Sequence, residues 1–369
     1  MPSFDAVLLL SFGGPEAPDD VMPFLRRVTA GRGIPDERLA AVAQQYQAFG
    51  GISPINAQTK ALREALEAEL NAGVEPDSES FLPVYWGNRN WDPFLADTLR
   101  QMRTDGVLNA AVVVTSGYSS YSGCRQYREN LFDAVTEVNG DGDGSVPVLS
   151  KIRRWFDQPA FIEVMTDNVL AAIDALGSAS EDPPHLAFTT HSIPIGQAQS
   201  SGDPALGGDM YVKQHEFAAA AIAEAVSDRV GAPLPWKLVY QSRSGPPSMP
   251  WLEPDISDHL DELKATGARD VVIVPIGFIS DHMEVMWDLD TVALQHAREV
   301  GLNASRASTV GCDPRFVASL ANLVREREQN VPERDRVALA PWGPAPDVCP
   351  VGCCPNPRVD RGALCGADS

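Results

Sequence analysis

The chain has 369 residues, 44% hydrophobic and 21% charged, enough for two domains with a sizeable core. Its formal net charge of −21 repels phosphate backbones and anionic membrane surfaces, which argues against nucleic-acid binding, and it favours cations. Met1-Pro2-Ser3-Phe4-Asp5 shows no basic segment ahead of a long apolar run, and no apolar run approaches the roughly 20 residues of a transmembrane helix, so the expectation is a cytoplasmic protein.

In chain order, short apolar runs alternate with longer amphipathic ones. Residues 6–11 (AVLLLS) read as a strand, followed by helical patterns at 19–29, 35–49 and 56–72. Strands are predicted at 81–85 (FLPVY), 110–115 (AAVVVT) and 146–150 (VPVLS), with helices at 93–104 and 127–138 between them. The scheme then repeats, with strands at 186–190, 238–241 and 271–275 and helices at 159–176, 210–227, 256–265, 282–300 and 315–328. Such alternation predicts an α/β fold of two similar doubly wound parallel-sheet domains. The expected division is 1–155 and 156–314, with the helix at about 315–330 packing back on the first domain and a non-helical, Pro/Gly-rich tail over 337–369. Residues 140–145 (GDGDGS) read as a turn.

Ligands of open parallel sheets bind beyond the carboxyl ends of the strands. Those ends here carry Ser11-Phe12-Gly13-Gly14-Pro15, Trp86-Gly87-Asn88-Arg89-Asn90, Ser116-Gly117-Tyr118-Ser119-Ser120-Tyr121, Thr190-His191-Ser192, Gln241-Ser242-Arg243 and Gly277 to Glu284. No phosphate-binding glycine pattern is present, and Pro15 removes an amide that a phosphate would need. His191 is suited to bind a divalent metal or accept a proton near neutral pH, although a lone His after a strand also serves simply to bond a loop. Asp281-x-x-Glu284 matches a capping box, with Asp281 as the cap. Against that, Glu284 and Asp288 at i,i+4 stack two carboxylates on one helix face, which suits a cation or a proton path.

Four of the six cysteines, Cys349, Cys353, Cys354 and Cys365, lie in the tail. In a reducing compartment such a group favours metal over a disulfide framework. By spacing alone, zinc and an iron–sulfur cluster are equal candidates.

Five segments, LLLSFGGPEAPDDVMPFL (8–25), YQAFGGISPIN (46–56), FTTHSIP (188–194), YQSRSGPPSMPWLEPD (240–255) and VPIGFISDHMEVMWDLD (274–290), come in the order and spacing of the ferrochelatase family, which the chain resembles along nearly its whole length. The resemblance implies two Rossmann-like, chelatase-type domains around a central cleft and insertion of Fe²⁺, as substrate, into a tetrapyrrole. It carries the family's catalytic histidine onto His191 and its acidic partner onto Glu284. The favoured roles are His191 as pyrrole base and Glu284 as metal guide, with Asp288 extending the acidic path outward. Ser53 and Tyr127, or Tyr121 in its place, fall near the porphyrin's carboxylate edge. Some members carry an iron-binding tyrosine where this chain has Phe12, which cannot ligate. The tail is most similar to the actinobacterial branch, which implies coproporphyrin III as substrate and coproheme as product. Protoporphyrin IX metallation, a sirohydrochlorin chelatase and a non-catalytic heme or Fe–S sensor are the alternatives. The resemblance also implies a transient enzyme partner in heme synthesis.

For the tail, the resemblance implies a [2Fe–2S] cluster with three ligands from the tail and one from outside it. Adjacent side chains in an extended segment point to opposite sides, so Cys353 and Cys354 are not expected to share a cluster. The expected set is Cys124, Cys349, Cys354 and Cys365, with Cys353 as the alternative to Cys354. Cys312 is expected to be an ordinary buried thiol.

Overall fold

A computed structural model describes residues 3–142, 144–177, 182–245 and 248–368. The first half runs β1 (Ala6–Ser11), α1 (Val21–Val28), α2 (Asp36–Gln47), α3 (Ile55–Leu70), β2 (Val84–Asn88), α4 (Leu95–Thr104), β3 (Asn109–Val114), α5 (Gln126–Gly140) and β4 (Val148–Lys151). The second runs α6 (Pro159–Leu176), β5 (His185–His191), α7 (Ile195–Gln199), α8 (Met210–Val230), β6 (Trp236–Gln241), α9 (Ile256–Ala265), β7 (Asp270–Val274), α10 (Met283–Val285), α11 (Leu294–Glu299), β8 (Asn303–Arg306) and α12 (Pro314–Glu328).

The strands form two four-stranded sheets of matching order, β2-β1-β3-β4 and β6-β5-β7-β8, with every pairing parallel. This is the α/β two-domain architecture that the alternating pattern predicts. In each sheet the first strand of its half lies inside, so the order reverses between β1 and β3 and again between β5 and β7. Crevices therefore open beyond Ser11 in one sheet and beyond His191 in the other. One apolar core runs through both halves, joining Val7 and Leu9 to Trp155, Phe161, Phe188 and Phe316. The last helix, α12, lies against both α3 and α6.

Several elements differ from expectation for local reasons. β2 starts at Val84 because the Leu82 N–H is taken by the Asn71 side chain at 2.7 Å and Pro83 has no N–H, while the Pro83 carbonyl accepts from Val7 at 2.9 Å. The edge strand β8 (NASR) has no apolar pattern to announce it, and α7 is a single short turn. A π-helical turn, Tyr121–Arg125, precedes α5. The helix expected over 282–300 is split into α10, a π-helical stretch Met286–Ala293, and α11. The turn at 140–145 includes Asp143, which lies outside the described residues, as do Pro246 and Pro247 of the 240–255 motif.

The tail is anchored by polar contacts to the core. The Val337 carbonyl accepts from Arg153 at 2.7 Å and from Gln158 at 3.0 Å, and Leu339 N–H donates to the Asp157 carbonyl at 3.0 Å. Arg336 pairs with Asp347 at 2.7 Å, and Arg153 pairs with Glu326 at 2.6 Å. The Asp157 side chain is fully buried beside Arg153 at 3.6 Å, and its Oδ2 has no hydrogen-bond partner among the described residues. Burial outweighs that neighbour and pushes its carboxyl up to about 6 from 3.8. A carboxyl raised on folding stabilises the fold fully below the unfolded value and loses that contribution as pH rises through the folded one. Wild-type protein is therefore expected to lose up to about 3 kcal/mol from this site between pH 4 and pH 7. Denaturant unfolding at both pH values checks this: Asp157→Asn should narrow the difference, and an unchanged difference would contradict it.

Candidate active site

His191 ends β5, in the crevice beyond that strand. Its Nδ1 bonds the Ser192 carbonyl at 2.5 Å, and only an N–H can do so. Nδ1 is thus the protonated nitrogen of the neutral ring, and Nε2 keeps its lone pair. That lone pair faces Glu284, with Nε2 3.7 Å from Oε1. Both groups are partly open, at 31% and 46% side-chain exposure, so they border accessible space. Two electron-pair donors held face to face, too far apart for a direct hydrogen bond, form a natural seat for a proton or a cation.

Each wall is held from behind. The His191 carbonyl accepts from Tyr211 Oη at 2.7 Å, and Tyr211 Oη meets Thr190 Oγ1 at 2.9 Å. Thr190 Oγ1 in turn meets His215 Nε2 at 2.9 Å, and the His215 ring stacks on Tyr118 at 3.6 Å. Burial lowers His215 to about 3, so this histidine is a neutral strut. The Ser192 hydroxyl donates to the Leu252 carbonyl at 2.8 Å, which ties the loop after β5 to the 248–255 segment. Gly277 lets the loop after β7 approach: a Cβ there would lie 2.2 Å from Thr190 Oγ1.

The capping of α10 departs from the expected box. His282, not Asp281, is the cap, and its Nδ1 accepts from Glu284 N–H at 3.1 Å. Asp281 instead pairs with Arg306 at 3.0 Å, and Arg306 also binds Asp290 at 2.5 Å. The Glu284 carbonyl accepts from Gln241 Nε2 at 2.9 Å, which leaves the carboxylate free toward His191. Asp288 lies inward rather than outward: it is half-buried while Glu284 is exposed, and it accepts a short bond from Ser242 Oγ. Ser242 has φ +62°, a left-handed backbone that aims it back at the π-helical stretch. Burial raises Asp288 to about 6, opposed by the Ser242 bond and reinforced by Glu284. The sequence placed Gln241, Ser242 and His282 at strand ends without assigning them a role, and it did not point to Arg306. Their roles depend on backbone turns that carry no side-chain periodicity.

The other expected contact residues are packed into the first half of the chain. Ser53 is buried against Gly14, with its N–H on the Pro15 carbonyl at 2.8 Å. Phe12 packs edge-on against Phe24 at 6.3 Å, and Arg89 lies over the Phe12 ring at 5.5 Å and the Tyr127 ring at 4.4 Å. Tyr127 is buried. Tyr121 is turned toward the tail, donating to Glu129 at 3.1 Å and accepting from Asn356 at 2.9 Å.

Four buried sulfurs cluster away from this cleft: Cys124, Cys349, Cys353 and Cys354. Cys124 and Cys349 are 3.8 Å apart, and Cys353 and Cys354 are 3.7 Å apart. Adjacent Cys353 and Cys354 turn to one side because Cys354 has φ +52° and the segment is not extended, which corrects the expectation that only one of them could face the group. Cys365 stands at the margin, with its thiol on the Leu149 carbonyl at 3.5 Å. Cys312 is exposed rather than buried. Buried cations lie beside the four sulfurs. Arg154 donates to Cys124 Sγ at 3.5 Å, and Lys151 donates to the Ile152 carbonyl at 2.9 Å. Burial alone would lower Arg154, but electrostatic attraction to the neighbouring cysteines outweighs it and holds the guanidinium above its ordinary value. Gly202 N–H also points at Cys354 Sγ, at 3.1 Å. Among the described residues, no group of three or more His, Cys, Asp or Glu converges tightly enough to hold a single metal ion.

Comparison with known proteins adds a second line. The family profile described as Ferrochelatase matches residues 4–328. A coproporphyrin III ferrochelatase of Streptomyces coelicolor is 52% identical, covering 99% of this chain and 97% of that protein. One of Frankia alni is 52% identical over 96% of this chain and 87% of its own length. A protein named ferrochelatase from Rhodopirellula baltica is 48% identical over 96% of this chain and 94% of its own.

Proposed function

Starting from the fact that this chain belongs to the ferrochelatase family and is a ferrochelatase, we propose that it inserts Fe²⁺ into coproporphyrin III to give coproheme. The observation that carries the mechanism is the 3.7 Å gap between His191 Nε2 and Glu284 Oε1. The substrate preference rests on relatives about half identical that are named for coproporphyrin III. Protoporphyrin IX is the second reading, since a relative 48% identical is named ferrochelatase without a stated porphyrin.

The reaction exchanges one Fe²⁺ for two pyrrole protons, so the macrocycle's charge is unchanged. His191 Nε2 carries the lone pair that takes a pyrrole proton, because Nδ1–H is engaged by Ser192. Each proton accepted makes the imidazolium a partner for the Glu284 carboxylate, which stabilises the pair as charge develops. Glu284, anionic and exposed, replaces water on the incoming iron and hands it to the ring nitrogens. Asp288, behind Glu284 and bonded to Ser242, is a second carboxyl able to pass a proton inward. Phe12 offers no ligand, so product iron takes its axial group from elsewhere or from water.

The buried cysteines fit a [2Fe–2S] group. Cys124 and Cys349 lie 3.8 Å apart and Cys353 and Cys354 3.7 Å apart, and Cys349 also neighbours Cys353 and Cys354 neighbours Cys124, a spacing suited to metal-bound thiolates, for which the family resemblance favours [2Fe–2S] over zinc. Buried Arg154 and Lys151 offset the charge of four thiolates and would be costly beside neutral thiols. Cys124, Cys349, Cys353 and Cys354 would hold the group, which supplies one-electron chemistry and a clamp between the tail and the turn before α5. A cytoplasmic location accords with reduced thiols.

Two measurements test these readings. Anaerobic assays following the Soret band should show faster metallation of coproporphyrin III than of protoporphyrin IX. His191→Ala should lower kcat by about 10²–10⁴-fold, and near-wild-type turnover in that variant would refute the base assignment. For the cluster, Cys353→Ala should abolish the visible iron–sulfur absorbance of protein isolated anaerobically, while Cys365→Ala should retain it. The reverse pattern would restore Cys365 to the ligand set.

A further inference from the structure

The cysteine-bearing tail does more than close on itself. Between Cys354 and Cys365 it crosses the turn that leads into α5. Asn356 Nδ2 donates to Tyr121 Oη at 2.9 Å and to Glu129 Oε1 at 3.1 Å, and its Oδ1 accepts from Arg358 N–H at 3.0 Å. Three residues on, Arg361 pairs with Asp133 at 2.6 Å. Arg358 is held between these two fixed points, exposed and with no carboxylate partner among the described residues.

Arg89, from the end of β2, reaches the same turn. Its Nε donates to Asn130 at 2.6 Å, its Nη1 points to the Ser122 carbonyl at 3.5 Å, and its plane covers Phe12 and Tyr127. It too has no carboxylate partner among the described residues, and nor does exposed Arg32. Desolvation first, then the charges of Arg358 and Arg89, hold Arg32 below its ordinary value. A chain with 50 acidic and 29 basic residues could readily have neutralised them. From this patch an aromatic run leads toward the cleft: Phe12 meets Phe24 at 6.3 Å, and Phe24 meets Tyr46 at 6.1 Å. The Tyr46 phenol is raised by burial and, secondarily, by the charge of Glu284.

We propose that the tail contributes to substrate recognition: Arg358, with Arg89 and Arg32, forms a cationic rim that binds carboxylates at one edge of a tetracarboxylate tetrapyrrole. The inference rests on the coproporphyrin reading above and deepens it. A tetrapyrrole whose vinyl groups replace two of the four carboxylates presents fewer partners to this rim. The metal-bound tail thereby becomes a specificity element, and Arg358 a binding rather than a catalytic residue.

The test is anaerobic steady-state metallation of coproporphyrin III and protoporphyrin IX by wild type, Arg358→Ala and Arg358→Lys, each checked for intact iron–sulfur absorbance and unchanged Tm. Arg358→Ala is expected to raise KM for coproporphyrin III by about five- to tenfold, as losing one charged partner allows, with kcat within about twofold. KM for protoporphyrin IX should move less, and the Lys variant should recover part of the loss. A wild type that prefers coproporphyrin III, with an Arg358→Ala variant of unchanged KM, overturns the role of the tail and assigns the patch to some other acidic partner. A wild type that metallates only protoporphyrin IX overturns the coproporphyrin reading and this inference together.

Discussion

The proposed chemistry depends on one hydrogen bond of modest size. Nδ1–H of His191 is committed to the Ser192 carbonyl, and that fixes which nitrogen has a free lone pair. With the tautomer set, Nε2 and the Glu284 carboxylate confront each other across a gap that only a positive charge can bridge. Either nitrogen arrangement would fill space equally well, but the other would point an N–H at the carboxylate and close the gap with an internal hydrogen bond. The supports behind the two walls preserve the opening. Tyr211, Thr190 and neutral His215 hold the end of β5, while Gln241 and His282 hold the start of α10.

A second constraint acts at the turn before α5. A guanidinium and an ammonium buried beside four sulfurs make sense when the sulfurs are thiolates. Thiolates at such close range repel one another, and the proposed metal group would hold them together beside the buried cations. Cys124 belongs to the π-helical turn that also carries Tyr121, and the tail returns over that turn through Asn356. Polar anchors at Val337, Leu339 and Asp347 hold the start of the tail without help from the cysteines. The cysteine group is therefore positioned to order the later part of the tail, where Arg358 lies.

Much of the fold was legible because burial writes itself into composition. β1, β3 and β7 are nearly continuous apolar runs, as strands covered on both faces must be. The errors arose where backbone or polar contacts override pattern. Pro83 delays β2, the polar edge strand β8 has no hydrophobic signature, and the two π-helical stretches do not alter the apparent helical period enough to be read. In the site, His191 and Glu284 were visible as polar residues at strand ends and through a family resemblance. The His282 cap, the Ser242–Asp288 bond and the convergence of Cys353 with Cys354 were not, because each depends on a local turn or a positive φ that non-glycine residues rarely announce.

The most direct test of the central claim is ¹⁵N NMR of histidine-labelled protein at neutral pH. The account predicts that His191 shows a protonated Nδ1 and an unprotonated Nε2, and that anaerobic addition of a divalent metal shifts the Nε2 resonance, with the shift lost in Glu284→Gln. A His191 ring protonated at Nε2, or one indifferent to metal, would contradict it.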